Sequence, residues 1–420
     1  MPSRNRHTQG RRRALVTGGA TGIGWAICQT LAAQGYLIVL ADIDGITARQ
    51  RVSELGAGHH ALTVDLLVPG LAAALPKRAA ELLGGLDVIV NNAGMTDSSG
   101  KSLAELPEAA FNRLVALNLT AVTEICAAAP SVLEQGACIV NISSGAAFRA
   151  LALRGPYSAT KAGVTALTEA LAEEYAQLGI AVSAIAPGYT LTPLVQELVQ
   201  EGRVDLDLVN ASIPMGRVAM PDDIASVAAF CAGHDGAALS GVTLGVDGGG
   251  LLGAPTGGTA PKAGPLGSGT IAVLGASKEL VQHLPDGFTT LTSISEIEDL
   301  PAFAGLIDMT PSALAQDAAK VLDQTRRVAL ACAESRTRTC DFALLFVTQH
   351  QNTVSGITAG AARGMLARTL ALEWAPAGLR VNALDWHGTT KSMVALAVFM
   401  VGTDAGFVTG QAIRAGEWQA

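Results

Sequence analysis

Cysteine is scarce and unpatterned in this chain of 420 residues. Cys28, Cys126, Cys138, Cys231, Cys332 and Cys340 form no CxxC pair and share no metal-like spacing with histidine. That argues against a disulfide framework and against a bound metal. Most of the six sit inside apolar runs, so reduced, buried thiols in a cytoplasmic protein are expected. Long hydrophobic runs are missing too. No segment approaches the roughly 20 uninterrupted apolar residues of a membrane span, and no membrane partner is expected. Charge is thin, at 15% of residues, and the net charge of -8 argues against nucleic acid as the main partner. The only basic run, Arg4, Arg6, Arg11, Arg12 and Arg13, lacks the apolar stretch of a secretory signal. It reads as a short solvated arm over residues 1–12.

What is present is apolar residue in quantity, 49% of the chain, rich in Ala, Gly, Val and Leu. That is a globular composition, with length enough for two domains. Residues 13–250 alternate short β-branched runs with longer amphipathic stretches, the pattern of β-α-β units around a parallel sheet. Strands are predicted at 14–17, 37–41, 61–64, 88–90, 138–142, 181–185 and 243–246. Each is apolar on both faces, as strands covered by helices on both sides must be. A helix is predicted over 162–177 from apolar residues spaced three and four apart. The Gly/Pro-rich stretch 251–269 has no hydrophobic period and reads as a linker.

A second α/β pattern begins at Thr270 and runs to 420 as a worn repeat of the first. LTEALAEEYAQLGIAVSAI (167–185) aligns with LARTLALEWAPAGLRVNAL (366–384) without a gap. VAAFCAGHDGAALSG (227–241) aligns with AVFMVGTDAGFVTG, which ends at Gly410. The offset falls from 199 residues to 169, so about 30 residues between the blocks are missing from the second half. The fold class expected is α/β, with two Rossmann-like, doubly wound parallel-sheet domains in tandem, the second degenerate.

Three groups of residues carry chemistry. Thr17-Gly18-Gly19-Ala20-Thr21-Gly22-Ile23-Gly24 follows the first strand and opens a helix, where glycines let the backbone approach a pyrophosphate. Asp42 ends the second strand, about 20 residues further on. A carboxylate there accepts from ribose hydroxyls and repels a 2′-phosphate, and no basic neighbour in sequence offsets it, which favours NAD over NADP. The competing role for such an aspartate is a helix N-cap, for which Asp44 is better placed. Tyr157 and Lys161 stand four apart, on one helix face. A nearby ammonium, together with an oxidised nicotinamide, favours the phenolate; lowering a tyrosine by about three pKa units takes about 4 kcal/mol.

With Asn91-Asn92-Ala93-Gly94 after the fourth strand and Pro187-Gly188 after the sixth, these motifs keep one order and one set of spacings. Over roughly residues 12–250 the chain resembles the short-chain dehydrogenase/reductase family. The resemblance implies that Tyr157 is the general acid/base, that Ser144 orients the substrate oxygen, and that Asn118 holds the water chain behind Lys161. It also implies a cofactor site of Gly18, Thr21, Gly22, Ile23, Gly24, Asp42, Asp65, Leu66, Asn92, Ala93, Gly94, Tyr157, Lys161, Pro187, Gly188, Thr190 and Thr192. The reaction expected is interconversion of a secondary alcohol and a ketone by hydride transfer with NAD. The alternative is an NAD-binding sensor or scaffold without turnover.

Arg154, three residues before Tyr157, is a candidate for a substrate carboxylate because its planar fork suits one. The competing role is a solvated loop arginine or one paired with another subunit. Sugars, polyols and hydroxy acids are the small-molecule substrates considered. Residues 191–209 correspond to the family's substrate-covering segment.

In the second half, Gly356 and Gly360 align with Tyr157 and Lys161, and Thr348-Gln349 with the serine pair. Thr270 to Ser277 keeps one glycine of the turn, and Asp308 falls near NNAG, where a dinucleotide would lie. The resemblance implies a non-catalytic copy that serves as a built-in partner, each chain a pseudo-dimer and a homodimer a pseudo-tetramer. A rival role is a regulatory domain binding a small ligand near Trp386 and His387.

Overall fold

The computed structural model describes residues 11–96, 99, 101–255, 269–310, 317–335 and 338–416. Most of the basic arm and positions 256–268 of the linker lie outside them. Seven strands form the first sheet: β1 (Arg13–Thr17), β2 (Leu37–Asp42), β3 (His60–Thr63), β4 (Leu86–Asn91), β5 (Leu133–Ile142), β6 (Ala181–Pro187) and β7 (Thr243–Val246). Their order is β3-β2-β1-β4-β5-β6-β7. The paired strands run parallel, with the reversal between β1 and β4 that opens a cleft at the carboxyl ends.

Helices α1 (Gly22–Ala33), α2 (Gly45–Leu55), α3 (Leu71–Leu83), α4 (Glu108–Val115), α5 (Ala121–Ala128), α6 (Gly155–Tyr175), α7 (Pro193–Gln200), α8 (Leu206–Ala211) and α9 (Pro221–Ala232) connect them. The run Glu108–Ser131 is long and apolar enough to cross a membrane by length and composition. It carries Glu108, Arg113 and Glu124, however, and buries Ala121, Val122, Ile125, Cys126 and Ala129 in the core beside β4 and β5. It is a core helix by that packing.

The second sheet contains β8 (Thr270–Leu274), β9 (Phe288–Leu291), β10 (Phe303–Asp308), β11 (Arg338–Gln349), β12 (Arg380–His387) and β13 (Ala412–Gly416). Its order, β13-β12-β11-β10-β8-β9, is that of the first sheet without a counterpart of β3. Helices α10 (Lys278–Val281), α11 (Ala318–Glu334), α12 (Val354–Trp374) and α13 (Thr390–Val401) accompany it. α12 has the 21 residues of α6, and α13 the 12 of α9. Where residues 188–220 separate β6 from α9, only Gly388 and Thr389 separate β12 from α13.

The compact units do not follow the sheets. Residues 11–185 with 224–243 form one, and 186–223 with 244–416 form the other. Within the second, Gly245 N–H donates to Gln411 Oε1 at 3.1 Å and Gly248 N–H to the Phe407 carbonyl at 3.2 Å. Residues 186–223 and the terminal strand of the first sheet therefore pack with the second half.

Three of the basic residues assigned to a solvated arm are tied down instead. Arg13 lies in β1 and grips Asp87 with two nitrogens, at 2.8 and 3.0 Å. Arg11 donates to the Gly35 carbonyl and Arg12 to that of Gly136. Carbonyl acceptors exposed at the amino ends of the strands fix these side chains, which a sequence reading of charge alone misses. Among the described cysteines no disulfide forms; five are buried and Cys340 is partly so.

Asp308 also departs from expectation. It occupies the register of Asn91, but its carboxylate is fully buried and paired with Arg363 of α12. Arg363 in turn donates to Thr325 Oγ1 and the Val347 carbonyl. Removing one member of such a pair strands the other charge. Arg363→Met is expected to destabilise the second half by about 3–5 kcal/mol, and adding Asp308→Leu to recover most of the loss; denaturant melts of the single and double variants check this.

Candidate active site

Two glycines shape the turn between β1 and α1. Gly18 has φ +61°, and a Cβ on it would stand 2.8 Å from Ala93 Cα. A Cβ on Gly24 would run into the Gly18 carbonyl oxygen. The turn is held from behind: Asn92 Nδ2 donates to the carbonyls of Thr17 and Gly18, and Thr17 Oγ1 accepts from the N–H groups of Asn92 and Ala93. Thr21, exposed, is the N-cap residue of α1 without a side-chain cap, so the first N–H groups of the helix face the cleft with Gly22 and Ile23. This is a cradle open to a pyrophosphate and closed to any larger residue.

Asp42 lies at the end of β2. Its Oδ2 accepts from Ala20 N–H at 3.0 Å, and its Oδ1 from Asp44 N–H at 3.0 Å. Asp44 caps α2 through Ile46 and Thr47. The absence of basic residues around Asp42 needs amending. Arg51, nine residues downstream, reaches over to donate to the Ala20 carbonyl at 3.3 Å. It is committed elsewhere as well, 4.8 Å above the Trp25 ring and 2.9 Å from Glu54. Asp65 accepts from Leu67 N–H, and Leu66 packs on the core beneath. Gly94 approaches both Asn118 Oδ1 and Lys161 Nζ.

Asn118 sits fully buried in a π-helical turn, Ala116–Thr120, between α4 and α5. Such turns interrupt the regular ladder and recur at functional sites. Its amide exchanges two 2.8 Å hydrogen bonds with the backbone of Met95 and donates to Thr160 Oγ1. Lys161 is 5% exposed and donates from Nζ to the Ile142 carbonyl at 2.8 Å, 5.9 Å from the Tyr157 ring centre. Burial pulls its pKa down to about 8. Ser143, beside it, donates to the Lys161 carbonyl, and Ser144 Oγ accepts from Ala146 N–H.

For Tyr157 the electrostatics are not those anticipated. Burial is the largest influence and raises its pKa; the Ser144 hydroxyl and the positive charge of Arg154 pull it down. Arg154, at the N-cap of α6, donates to Thr96 Oγ1 at 2.7 Å. Arg154 is thus a cation that acts on the phenol, while burial pushes Lys161 toward neutrality.

Pro187, Gly188, Thr190 and Thr192 belong to the other compact unit. Gly188 lies against Asp247, Thr190 pairs with Ala219, and Thr192 caps α7. In the second half, Gly275 (φ +74°) repeats the first glycine, but α10 is only four residues long. Gly356 and Gly360 stand on α12 as aligned. Trp386 is fully buried, its Nε1 bonded to the Thr389 carbonyl, and is not free for a ligand. His387 stacks on His350, and burial lowers its pKa.

The family model described as enoyl-(acyl carrier protein) reductase matches residues 18–250. An uncharacterized short-chain type dehydrogenase/reductase of Sinorhizobium fredii is 36% identical over 252 residues, 58% of this chain and 44% of that relative. The chain belongs to the short-chain dehydrogenase/reductase family. Within that family, the cis-4-hydroxycyclohexanecarboxylate dehydrogenase of Sinomonas cyclohexanicum is 40% identical over 245 residues, 57% of this chain and 96% of that one. A 3-ketoacyl-(acyl-carrier-protein) reductase from Brucella melitensis, solved with NADH, superposes with a TM-score of 0.52 at 30% identity, over 57% of this chain and 98% of that one.

Because Arg154 is a cation that lowers the Tyr157 pKa, removing it disfavours the phenolate. In Arg154→Met the alkaline-rising limb of the pH–kcat/KM profile for alcohol oxidation is expected to move to higher pH. An unmoved limb would show that Arg154 does not act on the phenol.

Proposed function

We propose that this chain is an NAD-dependent dehydrogenase that interconverts a secondary alcohol and a ketone, with one active site per polypeptide. The observation that carries the reading is the cluster of Tyr157, Ser144, Lys161 and Asn118 at the carboxyl ends of β5 and its neighbours, beside a glycine cradle. The cradle fits a dinucleotide: a side chain at Gly18 or Gly24 would fill it. The carboxylate of Asp42 favours ribose hydroxyls over a 2′-phosphate, and Arg51 is already engaged by Glu54 and Trp25. When bound, the nicotinamide supplies the hydride acceptor or donor.

The chain's own residues then manage the proton. Tyr157 Oη takes it from the substrate hydroxyl in oxidation and returns it in reduction. Ser144 Oγ holds the same oxygen and steadies the charge that changes there. Lys161, near its titration midpoint at mildly alkaline pH, can pass a proton onward toward Asn118. Arg154 suits a carboxylate on the substrate, and a hydroxy acid is the class we favour. A relative named for a hydroxycarboxylate supports that choice.

With NAD and a panel of alcohols, polyols and hydroxy acids, absorbance at the NADH band should rise only with NAD and a matching substrate. Tyr157→Phe should lower the rate by about 10²–10⁴ while leaving NAD affinity nearly unchanged. Tight NAD binding without turnover on any member would favour a sensor instead.

The second half, in this reading, is a non-catalytic copy that holds the substrate-covering segment in place. Arg217 fastens that segment within the second compact unit: it grips Asp223 with both nitrogens and lies 4.1 Å from the centre of the Phe407 ring. Phe407→Ala is expected to raise KM roughly two- to tenfold, the loss of one cation–π contact, with little change in NAD affinity. Unchanged KM and kcat would remove this role from the second half.

A further inference from the structure

The second half carries a cluster of metal-ligating side chains. β12 ends in Asp385-Trp386-His387, so Asp385 and His387 emerge on the same face of the strand while Trp386 turns into the core. β11 runs parallel beside it, with Thr348 opposite Asp385, and His350 follows directly after its last residue. The two imidazoles stack with their centres 3.5 Å apart. One donor atom from each of His350, Asp385 and His387 lies within 4.8 Å of the others.

We propose that His350, Asp385 and His387 form a binding site for a divalent transition-metal ion of the zinc class. Two imidazoles and a carboxylate are the donor set such ions take, with remaining positions left to water. Three features support it. The His350 side chain is only 5% exposed and the Asp385 side chain 17%, so the donors are held in place by packing. His350 Nδ1 already meets Asp385 Oδ2 at 2.8 Å, and its Nε2 is oriented by Asn352 Oδ1 at 3.0 Å, the outer-shell partner that metal-binding histidines usually keep. His387 Nε2 is buried and meets no hydrogen-bond partner among the described residues, a state that calls for an ion or a water.

The location agrees with the chemistry. In a doubly wound sheet, ligands collect outside the carboxyl ends of the strands. Only two residues join β12 to α13, where 188–220 join β6 to α9. Among the described residues, Arg414 opposes a cation: its Nε lies 3.0 Å from Asp385 Oδ2. Its side chain is 57% exposed, so it can swing into solvent when an ion takes the carboxylate. Ligands at about 2.1 Å from a metal stand roughly 3.4 Å apart, so donors that lie within 4.8 Å of one another must close by up to about 1.4 Å, with a turn of one stacked imidazole to aim its lone pair at the ion.

The test is metal binding by the untagged full-length chain, stripped with chelator and titrated with Zn²⁺ and with Co²⁺ as a coloured substitute. One ion per chain, with micromolar or tighter affinity and a visible Co²⁺ band, is expected. His350→Gln and His387→Gln should each weaken it at least tenfold, and Arg414→Ala should tighten it, while Tyr157→Phe leaves it unaltered. Absence of one-to-one binding by the unmodified chain would overturn the proposal. So would binding that survives both histidine substitutions in folded protein, or that Arg414→Ala leaves unchanged.

Discussion

Each half of this chain sinks one cation into its sheet from the long helix that follows the fifth strand position. In the first half it is Lys161, held by the Ile142 carbonyl; in the second it is Arg363, one turn later along the equivalent helix, held by Asp308. Desolvating a cation is costly, so its surroundings must answer it. Around Lys161 the answer among the described residues is the Ile142 carbonyl, and burial pulls the ammonium's pKa down to about 8. Around Arg363 the answer is a full ion pair, and the charge is locked. Equivalent helices thus bury a cation without a carboxylate partner among the described residues in one half and a paired one in the other.

The strand pattern was legible because every buried strand must be apolar on both faces, and most predicted edges fall within two residues of those observed. β5 is the exception, beginning at Leu133 ahead of its apolar stretch, since Glu134 and Gln135 break the hydrophobic signal. The glycine turn, Asp42 and the Tyr157–Lys161 pair were legible because their spacing in sequence maps onto one turn or one helix face. What escaped depends on contacts between distant segments. Arg51 beside Ala20 and His350 beside Asp385 are both of this kind. The DxH at the end of β12 was a usable signal, as two ligand types on one strand face, but its partner lies 35 residues upstream.

The terminal strand and the substrate-covering segment show how the second half bears on the first. Gly245 and Gly248 bond to Gln411 and Phe407, and Arg217 lies over the Phe407 ring. All of these contacts lie within the one compact unit that joins residues 186–223 and 244–416.

The two-residue join between β12 and α13 has a consequence for how this architecture changes. It shows that the strand and the helix that flank residues 188–220 can be connected almost directly, with the parallel order of the sheet kept. The covering segment is therefore a cassette: an insertion at one seam, whose length and composition can drift while the scaffold below it folds as before. The length of chain at that seam can change with the strand order of the sheet kept.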